Sequence, residues 1–303
     1  MYDFAGNVLI EDEFLRDGLQ NEARAFSIDE KLHFLAGLEA AGVKRIQLGS
    51  FVHPKWVPQM ANTDALFAQL SPKPGVTYTA LILNMAGLER ALAVGVKHLS
   101  ISVSASETHS RKNLNKSVNE ARAQIVAIIE RALGEGVAVR AGIQSALGCG
   151  FEGRIDPARV EAIAKSYGEI GVQEVNIADT AGLANPVQVY GLCTRLRDVL
   201  PDTTALSLHL HDTRGLGLAN MVAGLQAGVR IFDAALGGLG GCPFIPKATG
   251  NIATEDAAYA LAEMGLATGI DQRALGALTR ALEVQLGRAL PGRMAHIDTG
   301  ETA

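Results

Sequence analysis

SVNEARAQIVAIIERALGEGVAVRAGIQ, residues 117–144, contains one complete structural unit whose punctuation repeats along the chain. Ser117 followed three residues later by Glu120 is a capping box, which opens a helix. Val118, Ile125, Ile129 and Ala132 then fall on one stripe of a 3.6-residue period, so one helical face is apolar. Gly136 stands where a left-handed residue ends a helix, and Val137 to Gln144 follow as a strand. The same Gly-Val dipeptide recurs at Gly42, Gly95, Gly171 and Gly228, each time after a helix-like stretch and before a short β-branched run. Other helix starts agree. Ser27 with Glu30 is a second capping box, and Asp156-Pro157 and Asn185-Pro186 each place a cap before a first-turn proline. Val160, Ile163, Ala164, Tyr167 and Ile170 form another apolar stripe.

Working outward, strands are expected near Val8 to Glu13, Arg45 to Ser50, Val76 to Leu83, His98 to Val103, Val137 to Gln144, Glu174 to Ala178, Ala205 to His211 and Arg230 to Leu236. Strict alternation of strands with helices implies right-handed crossovers and a parallel sheet, which at this strand number closes most simply into a (β/α)8 TIM barrel. The alternative is an open doubly wound sheet, but no glycine fingerprint follows the first strand. An extra C-terminal helix is expected from Asp271 to about Leu286. The reading gives one domain over residues 1–290 and a loose tail over 291–303.

Composition supports a large core: of 303 residues, 48% are apolar and 19% charged. The net charge of -5 is spread without basic or acidic runs, so the reading gives no nucleic-acid footprint and no membrane partner. With no basic-then-apolar leader, the expected location is cytoplasmic. Cys149, Cys193 and Cys242 are too scattered for a disulfide framework. A homodimer is expected only as the commonest symmetry.

In a barrel the chemistry sits on loops leaving the C-terminal ends of strands. Arg16 to Glu22 follow strand one, Asp179-Thr180 strand six, His209-Leu210-His211-Asp212 end strand seven, and the glycine-rich run Gly237 to Asn251 follows strand eight. His209 and His211, two apart on a strand, project to the same side. Asp17 and Asn251 come within reach because strand eight closes against strand one. Two imidazoles, a carboxylate and an amide oxygen suit a six-coordinate Mg²⁺ or Mn²⁺ better than a closed zinc site, although a His-x-His pair and Arg16 can equally be solvated surface groups. Cys242, on a glycine segment at the mouth, is a candidate for proton exchange, whereas Cys193 inside a helix reads as core. No Gly-Lys-Ser/Thr or dinucleotide pattern follows the glycines, so no nucleotide redox cofactor is expected.

Arg16-Asp17-Gly18-Leu19-Gln20-Asn21-Glu22, the run Ser50 to Met60 (SFVHPKWVPQM), His209 to Thr213 and Gly238 to Asp256 together closely resemble the 3-hydroxy-3-methylglutaryl-CoA lyase family of the DRE-TIM metallolyases, and the likeness runs over most of the chain. The resemblance implies a carbon–carbon lyase acting on an acyl-CoA thioester. It implies that Asp17, His209, His211 and Asn251 hold one divalent cation, with Asp17 and His209 also in the catalytic group. It implies that Arg16 stabilises developing oxyanion charge and Cys242 serves as a mobile acid or base. Gln20, Gln47, Gly142, Asp179, Thr180 and Lys247 are the expected substrate contacts. Three departures bear on substrate. Gln47 replaces the family's glutamate, Gly142 replaces a bulky tyrosine after Arg140, and Phe244 to Thr249 replace a small-residue run. An amide at 47 is expected to leave the site one unit more positive, so a citramalyl-like thioester is as good an expectation as hydroxymethylglutaryl-CoA. The competing readings are a Claisen-type synthase on a 2-oxo acid, whose usual regulatory domain has no room before Ala303, and a barrel that binds metal without catalysis.

Overall fold

Eight parallel strands form in the computed structural model, which describes residues 6–241 and 250–297: β1 (Leu9–Asp12), β2 (Arg45–Ser50), β3 (Thr77–Ile82), β4 (His98–Ser104), β5 (Ala138–Gln144), β6 (Glu174–Asp179), β7 (Ala205–Leu210) and β8 (Ile231–Ala234). Each pairs with the next, and β8 closes on β1 with Leu9 opposite Ile231 and Asp12 opposite Ala234, so the expected (β/α)8 barrel is present. The helices are α1 (Ile28–Ala40), α2 (Thr63–Ala68), α3 (Met85–Ala93), α4 (Glu107–Leu114), α5 (Val118–Gly134), α6 (Pro157–Ile170), α7 (Pro186–Val199), α8 (Gly217–Gln226), α9 (Thr254–Glu263) and α10 (Gln272–Leu286). The capping boxes at Ser27 and Ser117 are made in full, and α10 is the extra C-terminal helix.

The two ends of the sheet seam are shorter than the sequence suggests. β1 stops at Asp12 because Phe14–Gly18 wind into a π-helical turn, and β8 stops at Ala234 because Leu236–Gly238 turn back with Gly237 at a φ of 66°. Helix α4 is an addition to the expected pattern, started by Ser106, whose hydroxyl accepts from the His109 backbone N–H. The segment 291–297, read from composition as loose, is tied down. Asp256 accepts from the Arg293 and Met294 backbone N–H groups, and Gly292 N donates to Gly237 O at 3.0 Å. No helix among the described residues is long and apolar enough to cross a membrane.

Strand alternation sorts side chains between two environments. Ile46, Leu48, Ile101, Val139, Val175, Leu208 and Phe232 point outward to meet Phe34, Leu38, Ile129, Val160, Tyr167 and Leu196 of the helices, all buried. This ring-shaped apolar layer drives folding, at roughly 1.5–3 kcal/mol for each large side chain buried. The opposite face of each strand fills the barrel with polar groups: Glu11, Arg45, Gln47, Ser100, Arg140, Glu174, Asn176 and Asp233 are all buried. Burying charge costs energy, so these groups are paired. Arg45 contacts Glu11 at 2.6 Å and Glu174 at 2.7 Å, while Arg140 contacts Glu11 at 3.0 Å and Asp233 at 2.6 Å. The interior is thus a packed ionic plug beneath the C-terminal mouth.

Candidate active site

The π-helical turn begins at Glu13, whose carbonyl accepts from Arg16 N at 3.1 Å and Gly18 N at 3.2 Å. This tight winding turns the consecutive side chains of Arg16 and Asp17 toward the mouth, both largely buried. Arg16 uses its whole fork: Nε donates to Gln47 Oε1, Nη1 to Asp17 and Nη2 to Glu13. Asp17 Oδ1 also accepts from Gln20 Nε2 at 3.2 Å, and its Oδ2 accepts from Asn251 Nδ2 at 2.8 Å. Asn251 reaches Asp17 because its strand-like segment bridges to His211 just past β7.

His209 ends β7 with its Nδ1 3.2 Å from Asp233 Oδ2 and 3.4 Å from Glu13 Oε2, which turns Nε2 toward His211 Nε2 at 3.0 Å. Burial lowers the His209 pKa, but its hydrogen bonds to Asp233 and Glu13, with their charges, outweigh that and raise the value to about 10. Burial, followed by repulsion from His209, pushes His211 down to about 4. Asp17, His209 and His211 each offer a ligand atom, all within 4.8 Å of one another. Glu13, His209 and Asp233 form a second such group, but Arg16 and Arg140 already neutralise its carboxylates. The donor set suits a divalent cation, which Asp17, His209 and His211 would hold. Asn251 Oδ1 fits the same role: it is buried and has no hydrogen-bond partner among the described residues.

Arg16, Asp17, His209 and His211 form one wall of a cavity of about 540 Å³. Trp56, Val57 and Gln59 border it on one side, and Ser102, Gly142, Gln144 and Thr180 on another. Of the expected substrate contacts, Gln20, Gly142 and Thr180 line this space. A Cβ at residue 142 would lie 2.9 Å from Ser102 Cβ, so no side chain enters there unless Ser102 shifts. Gln47 is not a lining residue. It is fully buried below Arg16, its Nε2 donating to Glu11 at 3.2 Å and Ser100 at 3.1 Å. Asp179 is not one either, because its carboxylate accepts from Leu183 N at 2.8 Å and Ala184 N at 3.1 Å and holds the loop after β6. Glu13 places a carboxylate on Arg16 Nη2, while the amide oxygen of Gln47 accepts from Nε.

Cys242 and Lys247 lie outside the described residues. The segment that carries them leaves and returns through a pinch. A Cβ on Gly250 would stand 2.5 Å from the Gly240 backbone, and one on Gly240 would stand 2.6 Å from Asn251 Nδ2. Gly241, on the entering side, lines the cavity and accepts from Asn21 Nδ2 at 3.1 Å. Glu13 and Asp233 are the site residues that sequence reasoning missed. Their signal was weak: acidic residues at inward positions just past β1 and on β8, where an apolar side chain is ordinary.

The HMGL-like family model matches residues 7–282. An (R)-citramalyl-CoA lyase of Chloroflexus aurantiacus is 41% identical over 94% of this chain and 92% of its own. A hydroxymethylglutaryl-CoA lyase of Pseudomonas mevalonii is 39% identical over 90% and 91%. Among solved structures, the Bacillus subtilis HMG-CoA lyase superposes with a TM-score of 0.92 at 37% identity, covering 96% of this chain and 98% of that one. An HMG-CoA lyase from Acinetobacter baumannii, in complex with coenzyme A and 3-methylmalate, gives 0.93 at 36% identity over 100% and 99%. A family model matched over most of the chain, a shared fold and identity near two residues in five over almost the full length leave one conclusion: this chain belongs to the HMGL-like family.

Proposed function

We propose that the protein is a divalent-metal-dependent carbon–carbon lyase that splits a 3-hydroxyacyl-CoA into an acyl-CoA and a keto acid. The observation that carries this reading is the meeting, at one mouth, of a permanently charged guanidinium with the cation-ligand group formed by Asp17, His209 and His211. Asp17, His209, His211 and Asn251 would hold Mg²⁺ or Mn²⁺. When bound, the cation supplies Lewis-acid polarisation of substrate oxygens and a template that fixes their orientation.

The remaining work falls to the chain itself. The 3-hydroxyl proton passes to the carboxylate of Asp17, within the group it forms with His209 and His211. The electron pair left on oxygen forms the carbonyl of the keto acid as the C2–C3 bond breaks, and the pair from that bond moves into the thioester as an enolate. Arg16, which does not lose its proton, stabilises the enolate oxygen through N–H groups already held in place. Cys242 then delivers a proton to the thioester's α-carbon, giving acyl-CoA. Hydroxymethylglutaryl-CoA and citramalyl-CoA are the two substrates to compare, since the relatives' activities support both and Gly142 changes the wall facing the acyl group.

The test is a panel of 3-hydroxyacyl-CoA thioesters with mass spectrometry for free acyl-CoA and keto acid, run with Mg²⁺, with Mn²⁺ and after exhaustive chelation. Metal-dependent release from at least one thioester is expected. Release from none, or undiminished release after chelation, refutes the reading.

A further inference from the structure

We propose that Glu13 is a positioning residue of this site, holding both the guanidinium of Arg16 and the Nδ1 edge of His209 in their working orientations. The inference rests on the lyase reading above. Glu13 is completely buried, and its two carboxylate oxygens divide the labour. Oε1 accepts from Arg140 Nη2 at 2.5 Å, while Oε2 is paired with Arg16 Nη2 and lies 3.4 Å from His209 Nδ1. Its backbone contributes as well: Glu13 N donates to Ala234 O at 2.8 Å on β8, and its carbonyl starts the turn that presents Arg16 and Asp17. One residue thus ties the cation-facing imidazole, the charge-stabilising guanidinium and the barrel seam to a single point.

The surroundings explain why this work falls to residue 13 and not 47. The 47 side chain accepts from Arg16 Nε, and its Nε2 donates to Glu11 Oε1 at 3.2 Å. A carboxylate at 47 would set oxygen against oxygen there. An amide fits, and the charge that anchors Arg16 from its buried side comes from Glu13. Asp233 also accepts from His209 Nδ1, so loss of Glu13 leaves the imidazole one anchor of two. Groups that orient a metal-ligating histidine through its second nitrogen typically cost 10–100-fold in metal affinity or activity when removed.

The experiment measures Mn²⁺ binding to the full chain by electron paramagnetic resonance, in the parent, Glu13→Gln and Glu13→Asp, alongside kcat and KM on whichever thioester the parent cleaves. The expected result is an Mn²⁺ affinity about 10-fold or more weaker in Glu13→Gln, with kcat reduced further than KM is raised. Glu13→Asp, which keeps the charge but draws the oxygens back by one methylene, should show a smaller loss of the same kind. It also supplies the answer if Glu13→Gln does not fold. Parent-like Mn²⁺ affinity in the folded variants overturns the proposal while leaving the lyase reading intact. A parent that binds Mn²⁺ but cleaves no thioester overturns the lyase reading, and the affinity comparison still judges the role of Glu13 toward the cation. A parent that does not bind Mn²⁺ overturns both.

Discussion

Replacing Arg140 by methionine should lower thermal stability by a margin large enough to measure directly. The guanidinium is buried and donates to Ser100 at 3.0 Å, Glu11 at 3.0 Å, Asp233 at 2.6 Å and Glu13 at 2.5 Å. Burial alone would disfavour its charge, but Asp233, Glu11, Glu13 and Glu174 outweigh that and hold its pKa well above the usual value. Methionine keeps most of the aliphatic packing and removes only the cation, leaving three carboxylates short of a partner inside the barrel. Breaking one buried ion pair by deleting a partner costs about 3–5 kcal/mol. In a chain of this size each kcal/mol shifts the melting point by roughly 2–4 °C, so a fall on the order of 10 °C is expected. The assay is calorimetry or far-ultraviolet circular dichroism at pH 7.5, with Arg140→Lys as an intermediate case, since one ammonium cannot span the positions that a fork reaches. An Arg140→Met protein melting within about 2 °C of the parent would refute the view that this network is held by its central cation.

Asp17→Asn and His211→Ala should each abolish tight Mn²⁺ binding, measured by calorimetric titration, with far-ultraviolet circular dichroism unchanged; parent-like affinity in either removes it from the ligand set. Cys242→Ser should lower kcat by about 10²- to 10⁴-fold with metal affinity unaltered, because a hydroxyl exchanges protons far less readily than a thiol. Cys193→Ser is the control: that thiol is buried in α7, burial pushes its pKa up to about 12, and turnover should be unchanged. Burial also pushes Asp12 and Glu255 each up to about 7, so between about pH 4 and 7 the folded chain holds protons that the unfolded chain has released. These two groups contribute stability at low pH that is lost as pH rises through 7, by up to about 1.4 kcal/mol per group and pH unit. Melting temperatures that rise steadily from pH 5 to 8 would contradict this.

The fold was readable because its evidence is periodic. Capping boxes at Ser27 and Ser117, glycines closing helices and eight apolar runs each recur, and β2 begins and ends at the residues expected. The π-helical turn was not readable, since its hydrogen bonds skip one residue further than an α-helix and leave no composition mark. The approach of His209 to His211 was legible from spacing, because two residues apart on a strand means one side, and that of Asp17 from the closure of strand eight on strand one. Gln47 and Asp179 misled for a physical reason: a polar residue near a strand's end looks the same in sequence whether it faces a cavity or serves a neighbouring backbone. Glu13 and Asp233 acquire meaning only when β8 closes on β1, and closure is a property of the whole chain.

The pinch at Gly240 and Gly250 separates two evolutionary freedoms. Chain ends held in backbone contact fix the positions from which the intervening segment starts and finishes, and closing a somewhat longer or shorter loop across fixed ends changes the entropy only slightly. Residues 242–249 can therefore be exchanged as a cassette while Asn251, immediately downstream, stays bonded to Asp17. Grafting the corresponding segment from a relative becomes a local operation, one whose fixed ends leave the bond between Asn251 and Asp17 in place.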